Sequence, residues 1–368
     1  MAKALETVLE INLKALEHNY QYLKSRLQTK TKFLGVIKAF AYGSDAIQIA
    51  QKLENLGADY LAVAYVKEGV QLRDAGITIP ILVLHPQLIN FDEMIAHRLE
   101  PSIYSKKMIQ EFLAVAKKQK QKNYPIHLKF NTGLNRLGFL ESDIDFILEQ
   151  LQQNEVKVAS IFSHLAASDD VKESVFTQEQ ITRFTTITAK LEDSLDYTPI
   201  KHILNTSGII NYPQAQFDMV RSGIGIYGYG NDEKIDSALQ PVAQLKTIIS
   251  QIHKLSVGES VGYNRSYIAD EHKTTATLPI GHADGIGRIY GNGKTYVHIH
   301  GQKALIIGNV CMDMIMIDIT DIDCNEGDEV IIFGSQCSAE KFASTAQTIS
   351  YEVLTGISQR VKRVVIVD

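Results

Sequence analysis

The sequence predicts an α/β protein with an N-terminal (β/α)8 barrel followed by a mainly β C-terminal domain. Three observations predict it. From about residue 30 to residue 230, short β-rich runs alternate with segments of helical period. After about residue 240 the pattern changes to alternating strands separated by Gly and Asp turns. The side chains with the most chemical capacity fall at the C-terminal ends of the early runs, where a barrel places its functional groups.

Taken in order, a first strand, Thr7 to Leu13, precedes the barrel and is expected to pack on the C-terminal domain. The barrel runs are Lys32 to Ile37, Tyr60 to Ala64, Pro80 to Leu84, Pro101 to Tyr104, Ile126 to Phe130, Val156 to Ser163, Ile200 to Leu204 and Met219 to Tyr227. Between them, helical patterns cover Asp45 to Leu56, Ser105 to Lys118, Ser142 to Gln153 and Gln178 to Leu191. Eight strands with helices between them fit a closed barrel more simply than an open doubly wound sheet. The later strands are Val242 to Ile252, Thr274 to Leu278, Tyr296 to Ile299, Ala304 to Ile307, Met314 to Ile317 and Glu329 to Phe333, with one late helix from Ala339 to Leu354. The polar stretch Gly230-Asn231-Asp232-Glu233 marks the boundary. The expected division is 1–13 for the first strand, 14–238 for the barrel and 239–368 for the β-rich domain.

A chain of 368 residues can bury a large core. Its net charge of −5, with Lys and Arg spread along the chain, argues against nucleic acid as a partner. No apolar run approaches the ~18 residues of a membrane span, and the start, Met1-Ala2-Lys3-Ala4-Leu5-Glu6, has no targeting pattern, so a cytoplasmic protein is expected. Cys311, Cys324 and Cys337 are spaced as reduced packing residues. His298 and His300 share a strand face without a third ligand, which predicts a solvated edge and no metal. P-loop and H-E-x-x-H motifs are absent from the sequence.

Lys38 ends an apolar run and opens the turn Lys38-Ala39-Phe40-Ala41-Tyr42-Gly43. An amine at the end of a buried strand calls for a partner, and a covalently bound carbonyl cofactor is one. Further along, strand ends carry Lys129 with Arg136, then His164, then Asn205-Thr206-Ser207, then Arg221 to Gly225. Each alone has an ordinary structural explanation, but a barrel brings all of them to one rim.

Several of these segments resemble the alanine racemases, pyridoxal phosphate enzymes built on a barrel. Val36-Ile37-Lys38-Ala39-Phe40-Ala41-Tyr42-Gly43 is similar to that family's V-K-A-N-A-Y-G, and Lys129 to Gly138 to its K-x-D-T-G-M-x-R-L-G. Ser163-His164-Leu165-Ala166 resembles T-H-F-A, Asn205-Thr206-Ser207 resembles N-S-A, and Arg221-Ser222-Gly223-Ile224 resembles R-P-G-I. In the second domain, Gly258 to Tyr263, Gly281-His282-Ala283-Asp284-Gly285 and Val310-Cys311-Met312-Asp313-Met314 resemble G-x-x-V-S/G-Y, G-Y-A-D-G and V-C-M-D-Q. Tyr351 through Arg363 looks like the family ending, so the resemblance is collinear over essentially the whole chain.

The resemblance implies pyridoxal 5'-phosphate held as a Schiff base to Lys38. It assigns the cofactor's other contacts to Tyr42, His164, Asn205, Thr206, Arg221, Gly223 and Ile224, and substrate contacts to Arg136 and the Met312 backbone. Lys129, Asp313 and His282 would support the site, Lys129 as a carbamate beside Arg136. Arg221 would face the pyridine nitrogen and, being a donor only, would leave that ring a weaker electron sink than a carboxylate partner would. Racemisation needs a base on each face of Cα. The resemblance gives the D-alanine face to Lys38 and the L-alanine face to Tyr263 of a neighbouring subunit, which implies a homodimer with shared sites and no nucleic-acid or membrane partner. The expected use is D-alanine supply for peptidoglycan. Asn131, Ser222, His282 and Gln359 depart from the family pattern, Gln359 falling where many members place a tyrosine near the phosphate. The alternatives are a broad-specificity amino-acid racemase and, from another class, a non-catalytic pyridoxal phosphate carrier.

Overall fold

The computed structural model describes residues 4–152, 155–230 and 233–367. Residues 1–3, the helix end expected at Gln153, and Asn231 and Asp232 within the expected boundary lie outside the described residues.

The first strand, β1 (Val8–Asn12), leads into α1 (Leu13–Ser25), whose N-terminus is capped by the Asn12 side chain accepting from Lys14 and Ala15 N–H at 2.9 and 3.0 Å. Eight parallel strands follow: β2 (Lys32–Val36), β3 (Tyr60–Val63), β4 (Ile81–Val83), β5 (Glu100–Ile103), β6 (Tyr124–Lys129), β7 (Val156–Phe162), β8 (Ile200–His202) and β9 (Met219–Ser222). They lie in the order β8-β7-β6-β5-β4-β3-β2-β9. The two ends of that sheet meet through backbone bonds from Asp218 N to Lys201 O at 3.1 Å and from Arg221 N to Leu204 O at 3.1 Å, which close the barrel. The connecting helices are α2 (Lys38–Gly43), α3 (Ala46–Asn55), α4 (Val66–Asp74), α5 (Phe91–Ala96), α6 (Lys106–Lys118), α7 (Ile144–Leu151), α8 (Ser174–Glu192) and α9 (Thr206–Asn211). Asp45 caps α3 and Ser105 caps α6, so the polar residues that open these helical patterns work as stop signals for the preceding loops.

A short helix, α10 (Glu233–Asp236), precedes the second domain. Its strands are β10 (Ala243–Ile248), β11 (Gln251–Leu255), β12 (Ser260–Val261), β13 (Tyr267–Ile268), β14 (Lys273–Leu278), β15 (Tyr296–Ile299), β16 (Gln302–Ile307), β17 (Ile315–Asp318), β18 (Glu329–Phe333) and β19 (Lys362–Ile366), with α11 (Ala339–Ser344) and α12 (Ser350–Gly356) before the last. The large sheet runs β11-β14-β17-β16-β15-β18-β10-β1-β19. Here β1 pairs antiparallel with β10 and parallel with β19.

Four expectations need correction. The run Met219 to Tyr227 is a strand only to Ser222. It then breaks at Gly223 into a 3-10 turn, Ile224–Tyr227, because the chain must bend over the barrel mouth. Val242 to Ile252 is two strands, since Ile249 and Ser250 donate to Asp328 and Thr277 on different neighbours. The late helix is two helices: Gln347 adopts φ 56, and Thr348 N–H returns to Ala343 O at 3.2 Å, a Schellman-type stop. His298 is not on a solvated edge. It is 5% exposed on β15, between β16 and β18. The cysteines are free, with Cys337 buried, and among the described residues no cluster of His, Cys, Asp and Glu could hold a metal ion.

Candidate active site

The C-terminal ends of the barrel strands surround a cavity of about 850 Å³. Lys38, Tyr42, Lys129, Arg136, His164 and Arg221 all line it, as do Asn205, Thr206, Gly223 and Ile224.

Lys38 leaves β2 into a turn of unusual hand. Ala39, Phe40, Ala41 and Tyr42 have φ between 52 and 55, so α2 is a left-handed turn. Such backbone is costly for residues with a Cβ, so its surroundings must impose it. One carboxylate does much of this: Glu68 Oε1 accepts from Ala39 N–H at 2.6 Å, and its Oε2 accepts from Ala64 and Tyr65 N–H at 2.7 and 3.0 Å. From the second domain, Arg363 donates to Gly43 O at 2.8 Å through Nη2. The result is a fixed launch direction for Lys38 and a Tyr42 hydroxyl delivered to the far wall. A Cβ on Gly223 would lie 2.2 Å from that hydroxyl, so only glycine permits the approach. The Tyr42 ring also packs on Tyr227 and Tyr351 at centroid distances of 4.6 and 5.9 Å.

Around Gly223, Thr206 Oγ1 lies 3.1 Å from Ser222 Oγ and accepts from Gly225 N–H at 3.2 Å. Ser222, which departs from the resembling motif, is thus part of the hydroxyl cluster. Asn205 caps α9, its Oδ1 accepting from Gly208 N–H at 2.9 Å and from the Ser168 hydroxyl at 2.7 Å. In the Lys129 to Gly138 segment, Asn131 folds the loop as an aspartate would: its Oδ1 accepts from Gly133 and Asn135 N–H at 3.1 and 3.0 Å.

The electrostatics are those of crowded cations. Burial, then Arg136, lowers the Lys38 pKa, and Glu68 partly offsets them. Burial, with Arg136, Arg221 and Lys38 nearby, brings Lys129 down to about 8. Burial brings Arg221 to about 9. His164 is held neutral by burial and by Arg221, whose Nη2 sits 3.1 Å from its Nδ1. Since arginine can only donate, that Nδ1 must accept and the proton of His164 is on Nε2. Among the described residues the only acid in the cavity lining is Asp169, so the site is built for an anion.

The structure separates the remaining sequence-selected residues from this cavity. Tyr263 is 69% exposed and Met312 59% exposed on the second domain, with His282 and Asp313 also outside the cavity lining. His282, Met312 and Asp313 belong to one loop system: His282 N–H donates to Cys311 O and Ala283 N–H to Met312 O, while Arg360 bonds both Asp284 and Asp313. Gln359 is exposed, and from the C-terminal segment it is Tyr351 that lines the cavity, beside Tyr42 and Tyr65 of the barrel. Sequence reasoning took Tyr351 only as the start of the family-like ending, not as a site residue, and passed over His202, although the latter ends β8 just as the chosen residues end their strands.

Two family models match the chain, the alanine racemase N-terminal domain over residues 11–231 and the alanine racemase C-terminal domain over residues 242–365. The chain belongs to the alanine racemase family. An alanine racemase of Caldanaerobacter subterraneus subsp. tengcongensis, designated alanine racemase 2, is 37% identical over 98% of this chain and 95% of its own length. The solved structure of the alanine racemase of Clostridium difficile 630 superposes with a TM-score of 0.94 at 35% identity, covering 100% of this chain and 97% of that one. The alanine racemase of Bartonella henselae, solved with covalently bound pyridoxal phosphate, gives a TM-score of 0.89 at 28% identity, covering 99% of this chain and 100% of that one.

Proposed function

We infer that this protein interconverts L-alanine and D-alanine with pyridoxal 5'-phosphate bound in the barrel cavity. The observation that carries the reading is the joint placement of Lys38, Lys129, Arg136 and Arg221 around one cavity, in a chain of the alanine racemase family. The residues fit the cofactor. Four cations face a cavity lined by one acid, and the Tyr42, Thr206 and Ser222 hydroxyls gather where glycine lets a ligand approach the backbone of Gly223 and Ile224.

Lys38 would hold the cofactor as a Schiff base, and Tyr42, Thr206 and the backbone of Gly223 and Ile224 its phosphate. When bound, the cofactor supplies an electron sink for the pair left at Cα when its proton departs. Arg221 would keep the ring nitrogen as an acceptor only, limiting the charge that builds up and favouring prompt return of the proton. As a free amine, Lys38 Nζ would move the proton on the D-alanine face; its lowered pKa leaves more of it in the neutral form that can act as a base. Arg136 would bind the substrate carboxylate through its planar fork, joined by the Met312 backbone. Lys129 is the amine best suited to become a carbamate, which would turn a repulsive neighbour of Arg136 into an anionic one. Asn205 and His164 would orient the groups around the ring, and His282 and Asp313 the Met312 loop.

Tyr263 of a second copy would complete the site from the L-alanine face, as its exposure in the single chain suits a residue shared across a homodimer. The Nε2–H of His164 offers that phenol a donor that stabilises its oxyanion, whose ordinary pKa is ~10. No helix of the described residues is long and apolar enough to cross a membrane, and a cytoplasmic supply of D-alanine for peptidoglycan is the role that follows.

The test is circular dichroism of L-alanine incubated with the cofactor-loaded protein. The signal is expected to decay to zero with wild type, to persist with Lys38→Ala, and to decay far more slowly with Tyr263→Phe. Persistence of the signal with wild-type protein that shows bound cofactor absorbance would overturn the assignment.

A further inference from the structure

Arg221 is the cavity-facing end of a buried line of side chains that crosses the barrel interior. Its Nη1 lies 2.6 Å from Nδ1 of His202. His202 Nε2 lies 2.9 Å from Ser160 Oγ, Ser160 Oγ 2.6 Å from His127 Nδ1, and His127 Nε2 2.7 Å from Glu100 Oε2. These residues sit on β9, β8, β7, β6 and β5, so each link steps to the neighbouring strand. His127, Ser160 and His202 are fully buried, Arg221 is 4% exposed and Glu100 9%.

The chemistry of the two ends fixes every proton between them. Arginine can only donate, so His202 Nδ1 accepts and His202 carries its proton on Nε2. That proton goes to Ser160 Oγ, whose own proton goes to His127 Nδ1, which leaves His127 Nε2–H to donate to Glu100. An ionised carboxylate can only accept, so the direction set at Arg221 is the direction Glu100 requires. Each of the four ring nitrogens, Ser160 Oγ and Glu100 Oε2 has its partner in this line. Burial, Arg221 and His127 hold His202 well below the usual histidine range, in keeping with a neutral ring.

Glu100 is otherwise faced by Tyr60, Tyr124 and Arg73. The Arg73 N–H groups are spent on the carbonyls of Ile77, Ile79, His97 and Arg98. At the other end, the Arg221 Nη atoms also donate to Ser163 O and Ile203 O, at 2.7 and 3.1 Å. Among the described residues its Nε has no protein acceptor, which leaves that N–H for a ligand.

We propose that Glu100 is a positioning residue for Arg221, acting through His127, Ser160 and His202 to hold both imidazoles in the Nε2–H tautomer and the guanidinium in one orientation toward the cavity. Its effect on the cofactor rests on the reading of Arg221 given above, whereas the tautomers do not. The carboxylate lies at the far end of the line from the cavity, so it shapes the site without lining it.

Histidine side-chain 15N NMR of the cofactor-free protein, with Glu100→Met and Ser160→Ala beside wild type, tests the line directly. Wild type is expected to show neutral Nε2–H rings for both His127 and His202. Glu100→Met removes the acceptor, and the resonance change should extend beyond His127 to His202. Ser160→Ala cuts the line in the middle and should shift His202 in the same way, which keeps the test decisive should Glu100→Met fold poorly. In the cofactor-loaded protein both variants should shift the cofactor's visible band. They should also lower kcat about tenfold with KM within about twofold, the size expected for one hydrogen bond acting through a relay. A doubly protonated His127 in wild type would overturn the proposal. So would variants that leave His202 and the visible band unmoved. Failure of wild type to take up pyridoxal phosphate would count against the functional reading alone, since the spectra of the cofactor-free protein decide the line independently.

Discussion

At the scale of single residues, the site uses cations against one another. Among the described residues no carboxylate pairs with Lys129, and its pKa of about 8 leaves a far larger neutral fraction at neutral pH than an ordinary lysine has. Because the shift is downward, the nucleophilic amine grows in as pH rises through about 8, whereas surface lysines require about two units more. Competitive acetylation of the cofactor-free protein between pH 7 and 9, read by peptide mass, is therefore expected to label Lys129 ahead of most lysines. Labelling with the same pH profile as a surface lysine would contradict the crowded-cation account. The same amine is the one expected to take up bicarbonate carbon, seen as a 13C carbamate resonance that is absent from Lys129→Ala. A second residue-scale expectation concerns Gly223: an added Cβ meets the Tyr42 hydroxyl, so Gly223→Ala should weaken pyridoxal phosphate binding on the order of tenfold or more by titration.

At the scale of elements, the left-handed turn after β2 is held in place by its neighbours. Gly43 has φ +80, and a Cβ there would lie 2.0 Å from Leu354 O of α12. Gly43→Ala is thus expected to destabilise the protein by more than ~2 kcal/mol, measured by urea unfolding, because neither the backbone angle nor the contact can relax locally. Glu68→Ala strands three N–H groups and should cost about 2 kcal/mol, with loss of cofactor affinity as the turn loosens. A near-normal unfolding midpoint for either variant would show that the turn is stable without these supports. The barrel strands are legible in the sequence because parallel buried strands are continuous apolar runs, and α3 and α6 because Asp45 and Ser105 announce them. The hand of α2 is not legible, since Ala39 to Tyr42 read locally as helix formers and the left-handed conformation is imposed by Glu68, Gly43 and Arg363 from elsewhere. Tyr351 was missed for a related reason: its place at the cavity wall depends on how α12 docks against α2, which no local pattern encodes. The break at Gly223 was hidden inside an apolar run whose composition suits either a strand or a buried turn.

At the scale of the whole molecule, one chain keeps the cavity with Lys38 apart from the exposed loop with Tyr263. If a second copy joins them, Lys38→Ala and Tyr263→Phe are defects on different surfaces of the same dimer. Mixing the two variants under subunit exchange should then restore about a quarter of wild-type activity, since half the dimers are mixed and each has one intact site of two. No recovery, with exchange shown independently by mass, would place both residues in the same chain's site.

The placement of β1 also has a consequence in time. Its two partners are β10 and β19, so it sits inside a sheet whose last strand is the final described element of the chain. On a ribosome adding about 10 residues per second, β1 waits on the order of half a minute for that neighbour. The barrel between them can close meanwhile, leaving an apolar strand with open edges on an otherwise folded nascent chain. For this protein that interval is the natural moment for a chaperone to bind, and for aggregation if none does.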